Sequence, residues 1–349
     1  MEILDKSRYD EFERFVRSHS GGSITQSVLW HEVKSNWLPE VVAVRGEDGQ
    51  IIAGVSILVR KFPLVGTSML YAPRGPVCDL YDADIMDKIQ QGVDLVAKKH
   101  RAHLYKIDPE ILNSDEKFIA LMASMGYRRY LGGTGFETIQ ARFNYRLYLD
   151  GRSEDELFAN LTQKTRYNVR VAKKHGVQVR VGTRGDLDEF ARLMAVTGER
   201  DGFSVRSKAY FERMLDALGD HVRLYMAYYE GEAVAGAITT NYAGKTCYIY
   251  GASSNEHRRV MSTYIIQWEM IRWAVETGCT VYDFQGVSGN MSEDDPLYGL
   301  YRFKRGFGGT LDELAGEFDY IYMPLRSKLV DLAINLAELL RALKRRFGR

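Results

Sequence analysis

The chain has few cysteines and no long apolar run. Its three cysteines, Cys78, Cys247 and Cys279, are widely separated among 349 residues. This spacing excludes a disulfide framework and a cysteine-rich metal site, and it is typical of buried thiols in a reducing compartment. No segment is long and apolar enough to span a bilayer, and the opening residues MEILDKSRYDEF contain no apolar signal region. We therefore expect a soluble protein of the cytoplasm.

Patterns of a metal-dependent or covalent active site are also missing. The 7 histidines are dispersed along the chain, so none of them form a group with the spacing of a metal site. No combination of Ser, His and Asp, or of Cys and His, has the spacing of a nucleophilic site. We therefore expect neither a metal ion nor a cofactor.

The chain does contain one sequence unit twice. Residues 9–16 (YDEFERFV) are similar to 187–194 (LDEFARLM), and 41–58 are similar to 224–239. Each copy then continues with a long amphipathic stretch and a short apolar run. Similarity at this spacing indicates a duplicated domain of about 180 residues. Because ligand pockets favour domain interfaces, we expect the functional site in a cleft between the two copies.

The order of elements in each copy predicts an α/β lobe with a mixed sheet. In the first copy the periodicity predicts two helices (the second over 27–36), a hairpin that turns at Gly49, a long helix and a buried strand at 104–108. This order resembles the fold of the acyl-CoA N-acetyltransferases. The sequence therefore predicts two tandem acetyltransferase-like lobes, followed by an amphipathic helix beyond residue 324.

The loop that would bind coenzyme A is degenerate in both copies. Acetyltransferases hold the pyrophosphate on backbone N–H groups of a glycine-containing loop at a helix start. The corresponding segments here are RRVMST (258–263) and DLYDADI (79–85), and neither contains glycine. The second segment is also acidic, so it would repel an anion. The sequence therefore argues against coenzyme A binding.

A basic helix followed by a strand is predicted over 162–181. Between Lys164 and Arg180 the sequence has six Lys/Arg and no Asp/Glu. Such a face fits the phosphates of a nucleic acid or another polyanion. The alternative is an ordinary solvated helix face, which is what most runs of charge form. The cations of the predicted helix are Lys164, Arg166, Arg170, Lys173 and Lys174.

Aromatic, basic and glycine residues are interleaved in DDPLYGLYRFKRGFGG (294–309). Their density predicts a loop that contacts a ligand, in which aromatic rings stack on the substrate and a cation neutralises developing negative charge. The alternative is a junction between a helix and a strand, with the aromatic rings in the core.

Seven segments carry a family resemblance over nearly the whole chain. They are SITQSVLWHEVKSNW (23–37), YAPRGPV (71–77), HLYKIDPE (103–110), KTRYNVRVAKKHGV (164–177), VRSKAYFERM (205–214), CYIYGAS (247–253) and LYGLYRFKRGFGG (297–309). In this order they resemble the Fem-type (FemABX) aminoacyl-tRNA-dependent transferases, which build peptidoglycan cross-bridges. Some members of that family carry a long coiled-coil hairpin in the second lobe. This chain has no sustained heptads and resembles the short form.

The resemblance implies a set of substrate-binding residues. In the short-form relatives, cations hold the phosphates of a uridine-diphosphate-linked muramyl pentapeptide, and Lys34 and Arg206 match them. Aromatic and carboxylate groups line the substrate channel of these relatives. The positions that match this set are Asp108, Tyr210 and Tyr250.

The resemblance also implies catalytic residues and shows one departure from the family pattern. A catalytically important Phe–Lys pair of the family matches Phe303 and Lys304, and Asp108 is expected to act with them. One channel tyrosine of the short form is replaced here by His103. That replacement leaves the preference for the acceptor open.

The C-terminal segment of this family returns to the first lobe, which implies discontinuous domains. The first lobe would consist of 1–145 plus about 317–349 and bind the acceptor. The second lobe would consist of 146–316, bind tRNA and carry out catalysis. We expect the protein to be a monomer.

The implied function is non-ribosomal amide-bond formation. The enzyme would move an amino acid from aminoacyl-tRNA to the side-chain amine of the peptidoglycan stem pentapeptide, carried by UDP-MurNAc or by lipid II. Because the ester is already activated, the enzyme mainly positions the amine and the ester carbonyl. Lys304 would stabilise the oxyanion, and Asp108, as a nearby carboxylate, would help the amine to lose its proton. The basic helix 164–174 would bind the acceptor arm of the tRNA.

The C-terminal helix has one leucine-rich face, formed by Leu329, Leu332, Leu336, Leu340 and Leu343, and it ends in RALKRRFGR. This combination fits an interfacial helix on anionic lipid at the inner face of the plasma membrane. From the sequence we favour the alternative, in which the leucines pack on the first lobe, because amphipathic helices most often face a core.

Three other functions stay open at the level of the sequence. A CoA-dependent N-acyltransferase would share the fold, and the degenerate loop argues against it. A leucyl/phenylalanyl-type transferase, which tags proteins from aminoacyl-tRNA, would share the tRNA site. A non-enzymatic protein that binds tRNA or polysaccharide would not need Phe303 and Lys304.

Overall fold

The computed structural model describes the backbone of residues 1–347, and the side chains of all of these except 337–339 and 341–347. The chain divides into two compact units. Unit 1 consists of Met1–Gly21, Thr25–Leu131 and the chain from Ala315 onward, and unit 2 consists of Gly22–Ile24 and Gly132–Leu314. The boundary predicted at 145/146 therefore falls within unit 2, whereas the predicted return at about 317 lies close to the change at Ala315.

Unit 1 begins with ten α-helices and β-strands. They are β1 (Glu2–Ile3), α1 (Tyr9–Ser18), α2 (Leu29–Val33), β2 (Leu38–Arg45), β3 (Ile51–Phe62), β4 (Thr67–Ala72), α3 (Ala83–His100), β5 (Ala102–Ile107), α4 (Glu116–Ser124) and β6 (Arg128–Tyr130). After unit 2 the chain returns to this unit with β14 (Glu317–Ile321) and α11 (Pro324–Phe347).

Unit 2 contains thirteen α-helices and β-strands. They are β7 (Phe143–Tyr148), α5 (Glu154–Asn160), α6 (Gln163–Lys174), β8 (Gln178–Val181), α7 (Leu187–Asp201), α8 (Lys208–Leu218), β9 (Val222–Tyr229), β10 (Glu232–Tyr242), β11 (Lys245–Ser253), α9 (Ser262–Glu276), β12 (Val281–Gly286), α10 (Tyr298–Arg305) and β13 (Thr310–Glu313). Its longest helices, α7 and α9, have 15 residues each, so the described residues of this unit contain no long helical hairpin.

Each unit is built on a seven-stranded sheet, and the two sheets have the same strand order. The orders are β1-β2-β3-β4-β5-β14-β6 and β8-β9-β10-β11-β12-β7-β13. In each sheet one central pair is parallel, β4 with β5 and β11 with β12, and the other pairs are antiparallel. The prediction of an α/β fold with mixed sheets is confirmed, and so is the duplication.

Each sheet contains one strand that follows a strand of the other sheet along the chain. Strand β7 follows β6 along the chain but pairs with β12 and β13, whereas β14 follows β13 but pairs with β5 and β6. A buried ion pair holds the returning strand, because Nζ of Lys106 in β5 donates to the buried carboxylate of Glu317 in β14 and lies 2.7 Å from Asp319 of the same strand. This exchange is the reason that unit 1 is discontinuous in sequence.

The apolar stripes of the long helices cover these sheets. Ile89, Val93 and Val96 of α3 are buried in the core of unit 1, and Trp268 and Ile271 of α9 are buried in that of unit 2. Asp82 begins α3 by accepting a hydrogen bond from the N–H of Ile85. The three cysteines are free and buried, as their spacing predicted.

Two local predictions are wrong. The helix predicted over 27–36 spans only Leu29–Val33, because Lys34 leaves the helical conformation and accepts a hydrogen bond from the N–H of Trp37 in a turn. The loop predicted over 294–309 is largely the helix α10. Asp295 begins that helix by accepting hydrogen bonds from the N–H groups of Leu297 and Tyr298, and Gly306, Gly308 and Gly309 follow after it ends.

The predicted C-terminal helix is present as α11. Of the leucines on its predicted face, Leu329, Leu332, Leu336 and Leu340 are exposed, so the expectation that they pack on the first lobe is wrong. The side chain of Leu343, and residues 348–349 at the end of the basic tail, lie outside the described residues. Within the described range, no helix combines the length and the apolar character that crossing a bilayer requires.

Candidate functional site

Lys304, in the last turn of α10, is a buried amine. Its side chain is 3 % exposed, and its Nζ donates hydrogen bonds to the carbonyl oxygens of Gln285 at 3.2 Å and Gly286 at 2.7 Å. Burial lowers the pKa of Lys304 to about 7, although the charge of Asp283 opposes this shift. An amine that titrates near neutrality is suited to proton transfer or to the stabilisation of developing negative charge.

The buried pair of Asp283 and Arg146 orients these carbonyl groups toward Lys304. Asp283 is 1 % exposed; its Oδ2 accepts a hydrogen bond from Nε of Arg146 at 2.9 Å, and its Oδ1 accepts one from the N–H of Gln285 at 2.6 Å. Gln285 has a φ of 63°, which is uncommon for a residue with a side chain. Asp283 therefore holds the end of β12 in the conformation that turns two carbonyl groups toward one amine.

Sequence reasoning missed Arg146 and Asp283. The available signal was a carboxylate inside the otherwise apolar strand at 281–286, since buried charges are normally paired. The partner, 137 residues earlier in the chain, follows only from the pairing of β7 with β12.

Phe303 lines a small cationic pocket between α6 and α10. Its ring packs edge-on against Tyr264 and Phe307, with centroids 5.0 and 5.4 Å away. The pocket has a volume of about 290 Å³ and no carboxylate among its lining residues. The lining residues are Thr162, Lys164, Thr165, Tyr264, Gly299, Arg302, Phe303, Arg305 and Gly306. Three cations beside two aromatic rings suit a ligand that joins a phosphate to a planar group.

Close contact between two helix ends forms this pocket. The N–H of Thr162, which caps α6, donates to the carbonyl of Gly306 at 3.0 Å. A Cβ on Gly306 would lie 2.3 Å from Oγ1 of Thr165, so a larger residue would push the helices apart. The glycine at this position thus permits the first turn of α6 to meet the end of α10.

The predicted basic helix is present as α6, and most of its cations are exposed. Lys164, Arg170, Lys173 and Lys174 all face solvent. Arg166 is only half-exposed, and its guanidinium donates to the carbonyls of Ala159 and Leu161, which closes the junction with α5. Because Lys164 also lines the pocket, the basic face of α6 begins at the pocket and continues along the helix.

Three of the predicted substrate-binding residues lie together in unit 2. Arg206 precedes α8, is exposed, and places its guanidinium carbon 5.3 Å from the ring centroid of Tyr210. The hydroxyl of Tyr250, on β11, donates to that of Tyr210 at 3.4 Å. Burial and the neighbouring Tyr250 raise the pKa of Tyr210, so the hydroxyl of Tyr210 stays protonated at neutral pH.

Asp108 lies at the carboxyl end of the parallel pair in unit 1. The register pairs Ala72 of β4 with Ile107 of β5, so the residues that follow each strand meet at one edge. The Oδ2 of Asp108 accepts from the hydroxyl of Tyr71, and its Oδ1 from the N–H of Arg74, both at 2.6 Å. Burial raises the pKa of Asp108 to about 6, although Arg74 and Tyr71 oppose this shift.

The structure does not bring His103 to Asp108. His103 lies near the start of β5, and five residues at a strand rise of about 3.3 Å separate the two by about 16 Å. The imidazole packs against Phe62 with 5.7 Å between ring centroids, and burial lowers its pKa. Lys34 lies at the end of α2, half-buried, with its Nζ 5.3 Å from the ring centroid of Trp30.

The structure bears on cofactors at two places. The segment 258–263, where an acetyltransferase would hold pyrophosphate, leads into α9 with Met261 at the cap and no capping side chain. Among the described residues, Glu232, Glu256 and His257 bring three possible metal ligands within 4.8 Å of one another, on an exposed surface. Exposed acidic groups of this kind are common without a metal ion, so we assign no role to this one.

Comparisons with known proteins agree with this architecture. The sequence profile of the FemAB family matches residues 8–233 and 229–334. A lipid II:glycine glycyltransferase of Staphylococcus haemolyticus is 29% identical over 383 aligned positions, which cover 89% of this chain and 91% of the relative. Since the alignment is longer than the 349 residues of this chain, the relative has residues that this chain lacks.

Solved structures extend the comparison to the fold. The crystal structure of FemX superposes with a TM-score of 0.87 at 27% identity, over 95% of this chain and 100% of that one. A tandem GNAT protein of clavulanic acid biosynthesis superposes with a TM-score of 0.54 at 11% identity, over 92% and 98%. The second likeness concerns the fold alone and confirms two acetyltransferase-like repeats. The chain therefore belongs to the FemAB family and is a Fem-type transferase enzyme.

Proposed function

We propose that the protein builds a peptidoglycan interpeptide bridge, by moving an amino acid from aminoacyl-tRNA to the side-chain amine of the stem pentapeptide. The observation that carries this proposal is the similarity to lipid II:glycine glycyltransferases over most of both chains. The buried Lys304 and the cationic pocket beside Phe303 supply chemistry that suits such a transfer.

The donor is proposed to bind along unit 2. The exposed cations of α6 would contact phosphates of the tRNA acceptor arm, and the pocket at the end of this face would take the terminal nucleotide. There Phe303 and Tyr264 offer rings for a base, while Arg302 and Arg305 offer charge for a phosphate. Arg166, already bound to backbone carbonyls, would support this face rather than contact the tRNA.

We also propose residues that bind the acceptor. Lys34 and Arg206 would each hold a phosphate of UDP-MurNAc-pentapeptide or of lipid II. The hydroxyls of Tyr210 and Tyr250 would bind the stem peptide. Asp108 would attract the acceptor amine, and its buried carboxylate keeps lone pairs beyond the two hydrogen bonds it accepts. His103, near the start of β5, would influence which acceptor is preferred.

The proposed step is an ordinary aminolysis. The neutral amine attacks the ester carbonyl carbon, a C–N bond forms, and the carbonyl π electrons move to oxygen. The ester C–O bond then breaks, the ribose oxygen takes up a proton lost by the amine, and an amide remains. Two positions on Nζ of Lys304 are used by carbonyl groups, so the ammonium form keeps one N–H for the oxyanion.

The proposal is tested by incubating the purified protein with a pool of charged tRNA and either UDP-MurNAc-pentapeptide or lipid II. Mass spectrometry of the acceptor should show the gain of one amino-acid residue, and pretreatment of the tRNA with ribonuclease should abolish it. A parallel reaction with acetyl-CoA tests an N-acyltransferase, and one with a model protein substrate tests a leucyl/phenylalanyl-type transferase. Product in either parallel reaction, with no gain on the muramyl peptide, would overturn the proposal.

The setting of the reaction is part of the proposal. We propose that the protein works as a monomer in the cytoplasm, where charged tRNA is available. Peripheral contact with the inner face of the plasma membrane through α11 would bring it to a lipid-linked acceptor. The exposure of the leucines of α11 supports that contact.

A further inference from the structure

The helix α11 presents an unusually apolar face to solvent. Five leucines are each at least half-exposed: Leu325 at 79%, Leu329 at 54%, Leu332 at 65%, Leu336 at 54% and Leu340 at 51%. At about 100° per residue their positions fall within one stripe roughly 80° wide. We call this set the leucine stripe. An exposed apolar stripe of this length is a hallmark of a contact surface.

The leucine stripe lies away from the side of α11 that packs on unit 1. Val330 is 3% exposed, and its position is about 120° around the helix from the centre of the stripe. The start of the helix is therefore attached to unit 1 through another side, whereas residues 331–336 are all exposed. The stripe does not serve the core of unit 1.

A second segment of unit 1 adds to the same surface. The turn Pro63–Val65, between β3 and β4, carries a fully exposed Leu64. Arg326, in the first turn of α11, donates a hydrogen bond from Nη1 to the carbonyl of Gly66 at 3.0 Å. This bond places the turn beside the start of α11, so two segments that are far apart in sequence both offer leucine side chains.

Charge is arranged around the stripe in a way that selects its partner. Arg326 and Lys328 lie about 80° from the centre of the stripe, one on each side, and Asp331 lies about 140° away. Lys61, just before the turn, is exposed. Between Arg326 and Arg349 the sequence contains seven Lys/Arg and two acids. An apolar stripe flanked by cations suits an interface between acyl chains and anionic headgroups.

We propose that the leucine stripe and Leu64 together form a docking surface for an anionic phospholipid bilayer. The helix α11 lies in the plane of the interface, its leucines reach the acyl chains, and Arg326, Lys328 and Lys61 contact the headgroups. A second copy of the chain fits this surface less well, because the flanking cations of the two copies would face each other. The biological use of the surface rests on the proposed function, since it brings the enzyme to a lipid-linked acceptor.

Vesicle co-sedimentation of the full chain tests this proposal. The probes are vesicles of phosphatidylcholine alone and vesicles with about one-third phosphatidylglycerol. The wild-type protein should bind the anionic vesicles and bind the neutral ones weakly. Leu64→Gln and Leu329→Gln should each lower the partition coefficient about tenfold. Glutamine is used because it is a good helix former, which keeps α11 intact.

Matched controls separate lipid docking from its alternatives. Leu95→Gln, at a similarly exposed leucine on α3 (49% against 54% for Leu329), should bind as the wild type does. Lys328→Gln should lower binding to anionic vesicles about fivefold. Equal partition of wild type and Leu329→Gln would overturn the proposal. A wild-type dimer in sedimentation velocity that Leu329→Gln dissociates would do so too, and it would identify the stripe as a self-association surface.

The two proposals can fail separately. Transfer to soluble UDP-MurNAc-pentapeptide should be unchanged in Leu64→Gln and Leu329→Gln, whereas transfer to lipid II in anionic vesicles should fall. Vesicle binding without transfer to any muramyl acceptor would reject the proposed function and keep the docking surface. Transfer to lipid II at the wild-type rate by both variants, with no vesicle binding by the wild type, would reject the docking surface alone.

Discussion

The replacement Lys304→Met gives the sharpest physical prediction of the structure. Burial lowers the pKa of this amine from 10.5 to about 7, which corresponds to a cost of about 5 kcal/mol for holding the charged form in the folded state. Because the folded pKa lies below the unfolded one, this cost is fully present below about pH 7. It is removed as the pH rises toward 10.5. Methionine has a similar length and does not titrate.

The difference in unfolding free energy between wild type and Lys304→Met isolates this titration. Other groups titrate alike in both proteins and cancel in the difference. Stability of the wild type relative to the variant should rise by about 2 kcal/mol between pH 7 and pH 9. The loss of hydrogen bonds to the carbonyls of Gln285 and Gly286 adds a cost to the variant that does not depend on pH.

Denaturation in urea at pH 6, 7, 8 and 9 measures this difference. Fluorescence and circular dichroism should be followed together, since a chain of two units need not unfold in one step. A difference that stays constant from pH 7 to pH 9 would mean that Lys304 keeps an ordinary lysine pKa. That result would refute the claim that burial brings the pKa of Lys304 close to neutrality.

Three other changes test separate parts of the structure. Asp108→Asn removes a carboxyl whose pKa is raised in the folded state. The unfolding free energy of the variant should therefore rise by about 2 kcal/mol relative to the wild type between pH 4 and pH 7. Denaturation at several pH values measures this difference, and a difference that does not depend on pH would contradict the prediction. Gly306→Ala places a Cβ 2.3 Å from Oγ1 of Thr165 and should lower the stability by about 1–3 kcal/mol, measured in thermal melts. The control is Gly299→Ala in α10, where the added Cβ meets open space, and it should leave the stability unchanged or raise it. Lys173→Glu should reduce the salt dependence of tRNA binding by about one charge, and Lys98→Glu at the end of α3 should leave it unchanged in filter binding.

The sequence predicted the parts of the fold that rest on local periodicity. The hairpin around Gly49, the basic helix α6 and the stripe of α3 were all readable, because each follows from the spacing of neighbouring residues. The exchange of β7 and β14 between the sheets was not readable as strand pairing. Both strands pair with strands that lie far away in the sequence, so no local pattern contains this choice.

The candidate site also has parts that the sequence predicted and parts that it did not. Lys304 and Phe303 were identified through a family resemblance, but the loop expected around them is a helix whose start depends on Asp295. The buried pair of Arg146 and Asp283 joins two strands that lie far apart in the chain. No local pattern contains both residues. The prediction that the leucines of α11 pack on the first lobe was also wrong. Helical periodicity shows which residues share a face, but it does not show whether that face packs on the protein or faces solvent.

The most direct test of the central claim compares wild type and Lys304→Met in a single turnover. Each protein is mixed with charged tRNA and a muramyl pentapeptide acceptor, and the mass of the acceptor is followed with time. We predict the gain of one amino-acid residue with the wild type and a rate at least about a hundredfold lower with the variant, at unchanged tRNA binding. No mass gain with the wild type, or equal rates for the two proteins, would contradict the account.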